Sequence, residues 1–271
     1  MEPGALVLTG YGINCDYESE AACTKAGFSA SRVHLEDLLS MARMLFRNSL
    51  VVFPGGFSFG DDLGSGVAFS AKIRYAEAAL FDLLLQYVEK GGLVLGICNG
   101  FQILVRLGLL PAVNKSYGEQ QATLAPNLEG YFIDRWVRLV VDSSSRCVFT
   151  KDLDTLELPV RHGEGRFIPA NDELLNILGK EKQVCLRYCD ERGLPTQEFP
   201  HNPNGSAEAV AGICDPSGRI FGLMPHPEAA SAYYHHPDWT KRKQSLLRAG
   251  DVPSPEGDGH HIFKNAFEHV K

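Results

Sequence analysis

At 271 residues, with 44% hydrophobic, 10% aromatic and 22% charged positions, the chain has the composition of a globular protein that buries a sizeable core, in one large domain or two small ones. Disorder and fibrous repeats are excluded as its main state. Its 26 Lys and Arg against 33 Asp and Glu give a formal charge of −7, which excludes a global attraction for nucleic acid or anionic membranes. Residues 1–4 lead straight into an apolar stretch, with neither the basic start nor the apolar length of a signal peptide. Residues 5–9 are expected to form a strand and 16–26 a helix with Asp16 as its N-cap. A second strand is expected over 32–35 and a second helix over 38–46. Leu50-Val51-Val52-Phe53 reads as a third strand, closed by Pro54-Gly55-Gly56. Residues 73–90 carry apolar side chains at helical spacing and stop at Gly91-Gly92, a C-cap signal. A fully apolar fourth strand over 93–97 leads into a helix over 101–107. Strand and helix alternating in this order imply right-handed crossovers, hence an α/β fold whose mostly parallel sheet has helices on both faces.

The pattern changes after Pro111. Strands are expected over 136–142, 158–162, 183–189 and 207–214, separated by turn sequences such as Asn202-Pro203-Asn204-Gly205 and Asp215-Pro216-Ser217-Gly218. This reads as an antiparallel elaboration of the same domain, after which residues 219–224 return as a short apolar strand. From His235 the composition shifts to Pro, Gly, His and charge, before an amphipathic end over 262–270. The expected organisation is one domain over residues 1–234 and a C-terminal extension over 235–271, partly irregular with a terminal helix. No apolar run approaches the ~20 residues of a membrane helix. Seven cysteines, odd in number and without framework spacing, suit the reduced thiols of a cytoplasmic protein.

Three segments carry chemistry. In Gly96-Ile97-Cys98-Asn99-Gly100, glycines two before and two after a cysteine allow a tight strand-to-helix turn that projects the side chain, the geometry of a nucleophile elbow. The N–H groups that open the following helix lower a thiol's pKa and hold a developing oxyanion. The plainer reading makes Cys98 a small buried hydrophobe. Gly55-Gly56-Phe57, after the third strand, leaves backbone N–H groups open to a substrate and could supply a second oxyanion donor. No Gly-Lys-Ser/Thr follows, so this is not a Walker phosphate loop. His226-Pro227-Glu228, after a late strand, offers a base near neutral pH and a carboxylate to fix its tautomer. Cys98, His226 and Glu228 each sit at the end of a strand of one sheet, and that coincidence favours catalysis over packing.

Other candidates are weaker. Cys185 and Cys189 lack a second ligand pair at zinc spacing, and no metal site is expected. His235-His236 and His260-His261 read as solvated loop histidines. His162 is a rival base, and Cys15 a structural thiol near the site. Lys241-Arg242-Lys243 reads as a helix end rather than a nucleic-acid patch.

With these residues in view the chain resembles the class I (triad) glutamine amidotransferases, whose fold is flavodoxin-like. The class-level match is Gly96-x-Cys98-x-Gly100-x-Gln102 with His226-Pro227-Glu228. Further segments are similar to the glutaminase subunits of phosphoribosylformylglycinamidine synthase: Gly12-Ile13-Asn14-Cys15-Asp16, Pro54-Gly55-Gly56-Phe57-Ser58-Phe59-Gly60-Asp61, Arg161-His162-Gly163-Glu164-Gly165-Arg166-Phe167 and Asn202-Pro203-Asn204-Gly205-Ser206. The resemblance implies that Cys98 attacks the glutamine side-chain amide, His226 serves as base and acid, and Glu228 orients it. Gly56 or Phe57 and Asn99 would offer oxyanion N–H groups, and Gln102 would help hold glutamine. Ammonia would pass to a synthetase subunit that carries ATP and Mg and makes the amidine from formylglycinamide ribonucleotide in purine biosynthesis. A small accessory subunit is implied, and no cofactor in this chain. Ala229 and Gly64 stand where the family commonly has arginine, and Gly10-Tyr11-Gly12 where a Phe-Pro-Gly type sequence is usual, which bears on contacts with the synthetase and not on the triad. The rival readings are an amidotransferase serving another synthetase, a free-standing γ-glutamyl hydrolase, and a non-catalytic relative.

Overall fold

In the computed structural model, which describes residues 2–76 and 79–271, the apolar runs of the first half become the strands of one sheet. The chain begins β1 (Gly4–Thr9), α1 (Asp16–Ala26), β2 (Ser29–His34), α2 (Leu35–Ser40), β3 (Leu50–Phe53), α3 (Val67–Arg74), α4 (Leu80–Glu89), β4 (Leu93–Ile97) and α5 (Asn99–Arg106). It continues β5 (Ala122–Pro126), β6 (Ile133–Val141), β7 (Thr155–His162), β8 (Glu164–Pro169), α6 (Asp172–Lys180), β9 (Val184–Tyr188), β10 (Val210–Cys214), β11 (Ile220–Leu223), α7 (Trp239–Ala249) and α8 (His260–Val270). The main sheet has nine strands in the order β2-β1-β3-β4-β11-β10-β9-β6-β7. Its first five strands run parallel, in the 2-1-3-4-5 order of flavodoxin-like sheets. The neighbours from β11 through β10, β9 and β6 to β7 pair antiparallel, which is the expected elaboration.

Every residue of β3 and β4 is buried. Strands covered on both faces read as continuous apolar runs, and each buried Val, Leu or Ile there contributes roughly 1.5–3 kcal/mol. The strand order reverses between β1 and β3. The carboxyl ends of those strands carry Cys15 and Gly55-Gly56, and the ends of neighbouring β4 and β11 lead to Cys98 and His226. The fold therefore collects the three segments that carry chemistry at one edge, the edge where open α/β sheets bind ligands.

Several elements differ from expectation. The helix expected over 38–46 is split at Met41, where φ is −131°, into α2 and a 3-10 segment, Ala42–Arg47. Of the single helix expected over 73–90, Ile73 belongs to α3 and residues 80–89 to α4; positions 77 and 78 lie outside the described residues. Cys15, not Asp16, holds the cap position of α1. The Asp16 carboxylate instead accepts from the Thr9 hydroxyl at 2.8 Å and from Arg32 at 3.3 Å. β5 and β8 form a separate two-stranded sheet, and α6 and α7 add two helices. α7 buries none of its residues, so its sequence carries no core-facing signal. α8 buries His260, Ile262, Phe263 and Ala266 and packs on α1, with Phe267 edge-to-face on Phe28 at 5.2 Å. His260 is thus not solvated, and His236 pairs with Glu157 at 3.0 Å. No described helix is long and apolar enough to cross a membrane.

Candidate active site

Cys98 occupies the one-residue junction between β4 and α5 with φ 51° and ψ −105°, a strained conformation for a residue with a side chain. Its N–H donates to the Leu223 carbonyl at 2.8 Å, which ties the junction to β11. The flanking glycines are required by close approach. A Cβ on Gly100 would stand 1.8 Å from the Phe53 carbonyl oxygen, and one on Gly96 would stand 2.5 Å from Leu104 Cδ1. Gly100→Ala is therefore expected to cost about 4 kcal/mol or more, or to prevent folding, as read by urea unfolding. A wild-type unfolding midpoint in that variant would show that β3 and α5 need no such contact.

His226 follows β11 and is held by its own N–H, which donates to the Pro159 carbonyl of β7 at 2.8 Å. Its Nδ1 meets Glu228 Oε1 at 2.6 Å, with the two residues 2% and 3% exposed. Nδ1–H donating to the carboxylate leaves Nε2 free, and Nε2 has no hydrogen-bond partner. Burial alone would lower the imidazole's pKa. The Glu228 carboxylate, with the Cys98 and Cys15 sulfurs against the ring, overrides burial and holds His226 well above its ordinary value. The Cys15 sulfur lies within 4.8 Å of a His226 ring nitrogen, near the site as its place after the first strand implied. Gly55 makes room for this ring, since a Cβ there would be 2.7 Å from His226 Cε1.

The two possible oxyanion donors after β3 are not equivalent. The Phe57 N–H already donates to the Gly12 carbonyl at 3.0 Å. The Gly56 N–H, and the Asn99 N–H at the start of α5, have no backbone acceptor among the described residues. The Asn99 side chain accepts from the Ser58 N–H at 3.3 Å and donates to Asp61 and to Gln102 Oε1, so it locks the glycine loop to α5. Gln102 in turn donates to the Glu164 carbonyl at 2.6 Å. Both ends of the Gln102 amide are thus engaged with protein, which makes it a strut between α5 and the start of β8.

Cys98, Gly56, Phe57 and Gln102 open on a cavity of about 150 Å³. That is room for about five waters at roughly 30 Å³ each, the scale of one amino acid. Its walls add residues the sequence reading did not single out individually: Asp61, Glu164 and Arg161, whose carbonyl accepts from the Cys98 thiol at 3.7 Å while its guanidinium is turned to Asp134 at 3.8 Å. Burial pushes the Asp61 carboxyl up, with the Glu164 charge adding to it and hydrogen bonds from Ser65 and Asn99 opposing it. The signal for these groups was present in Gly60-Asp61 and Arg161-His162-Gly163-Glu164, but only the fold puts them on one wall. His162 lines the same cavity with its Nδ1 2.9 Å from Asn127 Oδ1. Burial, then the charge on His226, pushes its pKa down to about 3, so it stays neutral and makes a poor base.

A model of the CobB/CobQ-like glutamine amidotransferase domain matches residues 2–270. A protein of Methanococcus maripaludis named phosphoribosylformylglycinamidine synthase subunit PurQ is 42% identical over 269 residues, 98% of this chain and 97% of its own. Its namesake from Dehalococcoides mccartyi is 40% identical over 263 residues, 97% and 96% of the two chains. Among solved structures, a chain of PurLQS from Thermotoga maritima aligns over 100% of both chains with a TM-score of 0.70 and 30% identity.

Proposed function

The chain belongs to the CobB/CobQ-like glutamine amidotransferase domain family, and from that membership we propose that it is the glutaminase subunit of phosphoribosylformylglycinamidine synthase. The observation that carries the chemistry is the strained Cys98 elbow, beside the buried His226–Glu228 pair, opening on a cavity the size of an amino acid. The Cys98 sulfur, having given its proton to His226 Nε2, attacks the γ-carbonyl of glutamine. The oxyanion forms between the Gly56 and Asn99 N–H groups, the two left without acceptors. His226 returns the proton to the leaving nitrogen, ammonia departs and a γ-glutamyl thioester remains. Water, activated by the same imidazole, then releases glutamate and restores the thiol. Glu228 holds the ring in the required tautomer throughout.

The wall of the cavity suits the α-amino acid end of the substrate. Glu164 and Asp61 line it and would receive the ammonium. Phe57 and Phe132, 45% and 50% exposed with ring centroids 6.3 Å apart, form an apolar rim at the mouth. This rim is where the synthetase subunit covers the site and receives ammonia, with ATP and Mg bound on that subunit and a small accessory subunit completing the complex. All seven cysteines carry free thiols, which suits the cytoplasm as the compartment.

Glutamate release from glutamine, measured for the chain alone and with the synthetase, formylglycinamide ribonucleotide and ATP, tests the reading. Low activity alone and strong stimulation by the full mixture are expected. Equal turnover with and without the partner would make this a free hydrolase or move it to another synthetase. In the same assay Glu164→Gln should raise KM for glutamine about tenfold or more with kcat little changed, the mark of lost ground-state binding. An unchanged KM would remove Glu164 from substrate recognition.

A further inference from the structure

Three buried thiols converge in the antiparallel part of the sheet, away from the glutamine site. Cys147 follows β6 and an exposed loop, Cys185 lies within β9, and Cys214 ends β10. Their sulfurs all lie within 4.8 Å of one another, and the residues are 2%, 0% and 0% exposed. The Cys185–Cys189 spacing, which offered no ligand set in the sequence, is not the grouping the fold makes. The ligands come from three segments far apart in the chain.

Thiols are weak donors and weak acceptors, so three of them in mutual contact in a dry core satisfy one another poorly. An oxygen stands beside the group: Ser145 Oγ is 3.5 Å from Cys185 Sγ and accepts the Cys147 N–H at 3.3 Å. The neighbouring Asp215 carboxylate does not compete for the ion. It is taken up by the N–H groups of Ser217, Arg219 and Ile220 and by the Tyr117 hydroxyl.

We propose that Cys147, Cys185 and Cys214 form a structural site for one divalent thiophilic ion of the zinc class, with the Ser145 hydroxyl at the fourth position. A tetrahedral site with metal–sulfur bonds of about 2.3 Å and a metal–oxygen bond of about 2.1 Å places sulfurs ~3.8 Å apart and sulfur and oxygen ~3.6 Å apart. The Ser145–Cys185 separation, 3.5 Å, is close to that value, and the sulfurs need to draw together by no more than about 1 Å from the spread they have. Soft thiolates select such an ion over magnesium or calcium. Three S–H protons leave to solvent as three metal–sulfur bonds form, and the ion with three thiolates carries a net charge of −1. Ser143 and Ser144, exposed in the loop above Cys147, mark the way in. The bound ion would pin that loop to β9 and β10, independently of the glutaminase chemistry.

The test uses the full chain with Cys15→Ser and Cys98→Ser, so that thiols of the glutamine site contribute nothing. After stripping with chelator under reducing conditions, the protein is titrated with cobalt(II). One cobalt per chain is expected, with tetrahedral visible bands and sulfur-to-cobalt charge transfer that zinc abolishes. Adding Cys147→Ser, Cys185→Ser or Cys214→Ser should remove the charge-transfer band. No cobalt spectrum, or one that survives these three replacements, would overturn the site. Should those variants fail to fold, alkylation of the unmodified chain keeps the question open to refutation. Zinc should slow modification of Cys147, Cys185 and Cys214 about tenfold more than that of buried Cys189, and equal slowing would count against the site.

Discussion

Cys98→Ser will abolish glutamine-dependent amidation by the assembled complex, with a loss of about 10⁴–10⁶-fold, while amidation from added ammonium salt persists. The side chain sits where β4 hands over to α5, its N–H fixed to Leu223, beside a histidine held well above its ordinary pKa. A serine hydroxyl at the same place is far less acidic than a thiol, so its proton passes to His226 much less readily and the nucleophile stays unactivated. Ammonia added from outside bypasses this chain altogether, so the two nitrogen sources separate loss of the glutaminase from loss of the complex. The measurement is amidine formation with glutamine and with ammonium chloride in parallel. Retained glutamine use would remove Cys98 from the reaction, and loss of both would point to failed assembly.

Glu228→Gln is expected to lower glutamine-dependent kcat by about 10²–10⁴-fold with little change in KM. The 2.6 Å contact to His226 Nδ1 both fixes the tautomer and supplies the negative charge that keeps the ring protonatable in a buried place. The same pair makes stability depend on pH, with a definite sign. A folded-state pKa raised above 6.5 stabilises the native chain fully below that pH, and the contribution is lost as pH rises through the folded value. Unfolding free energies in urea should therefore fall as pH rises above 6.5, and Glu228→Gln should flatten that slope. Parallel slopes in the two proteins would mean that His226 is not the group responsible. A full-rate variant would mean that the carboxylate does not orient the base.

The parts of the fold that could be read from sequence are those with local or periodic causes. β3 and β4 are apolar at every position because both faces are covered, and the glycines around Cys98 mark a turn that the Phe53 and Leu104 contacts impose. His226-Pro227-Glu228 was legible because the base and its carboxylate are two residues apart. β5 and β8 were missed because they pair outside the main sheet, and α7 because it buries nothing. What stayed hidden in the site depends on distant partners. Phe57 could not be set apart from Gly56 until Gly12 was seen to occupy its N–H. His162 could not be dismissed as a base until its burial was known. Asp61, Arg161 and Glu164 share a wall only after the antiparallel elaboration has folded back over β4.

That folding back reaches the reaction centre itself. The carbonyls of Pro159 and Arg161, on the last strand of the sheet, accept from the His226 N–H at 2.8 Å and from the Cys98 thiol at 3.7 Å. The elbow is held by Leu223 and the base by Pro159, so both depend on partners distant in the chain. A growing or half-folded chain therefore carries its sulfur long before it carries a working triad, and it is inert until the last contacts close. Reaction of Cys98 with an electrophilic glutamine analogue should then vanish in step with loss of tertiary structure in denaturant. Competence to split glutamine serves as the chain's own certificate of completion.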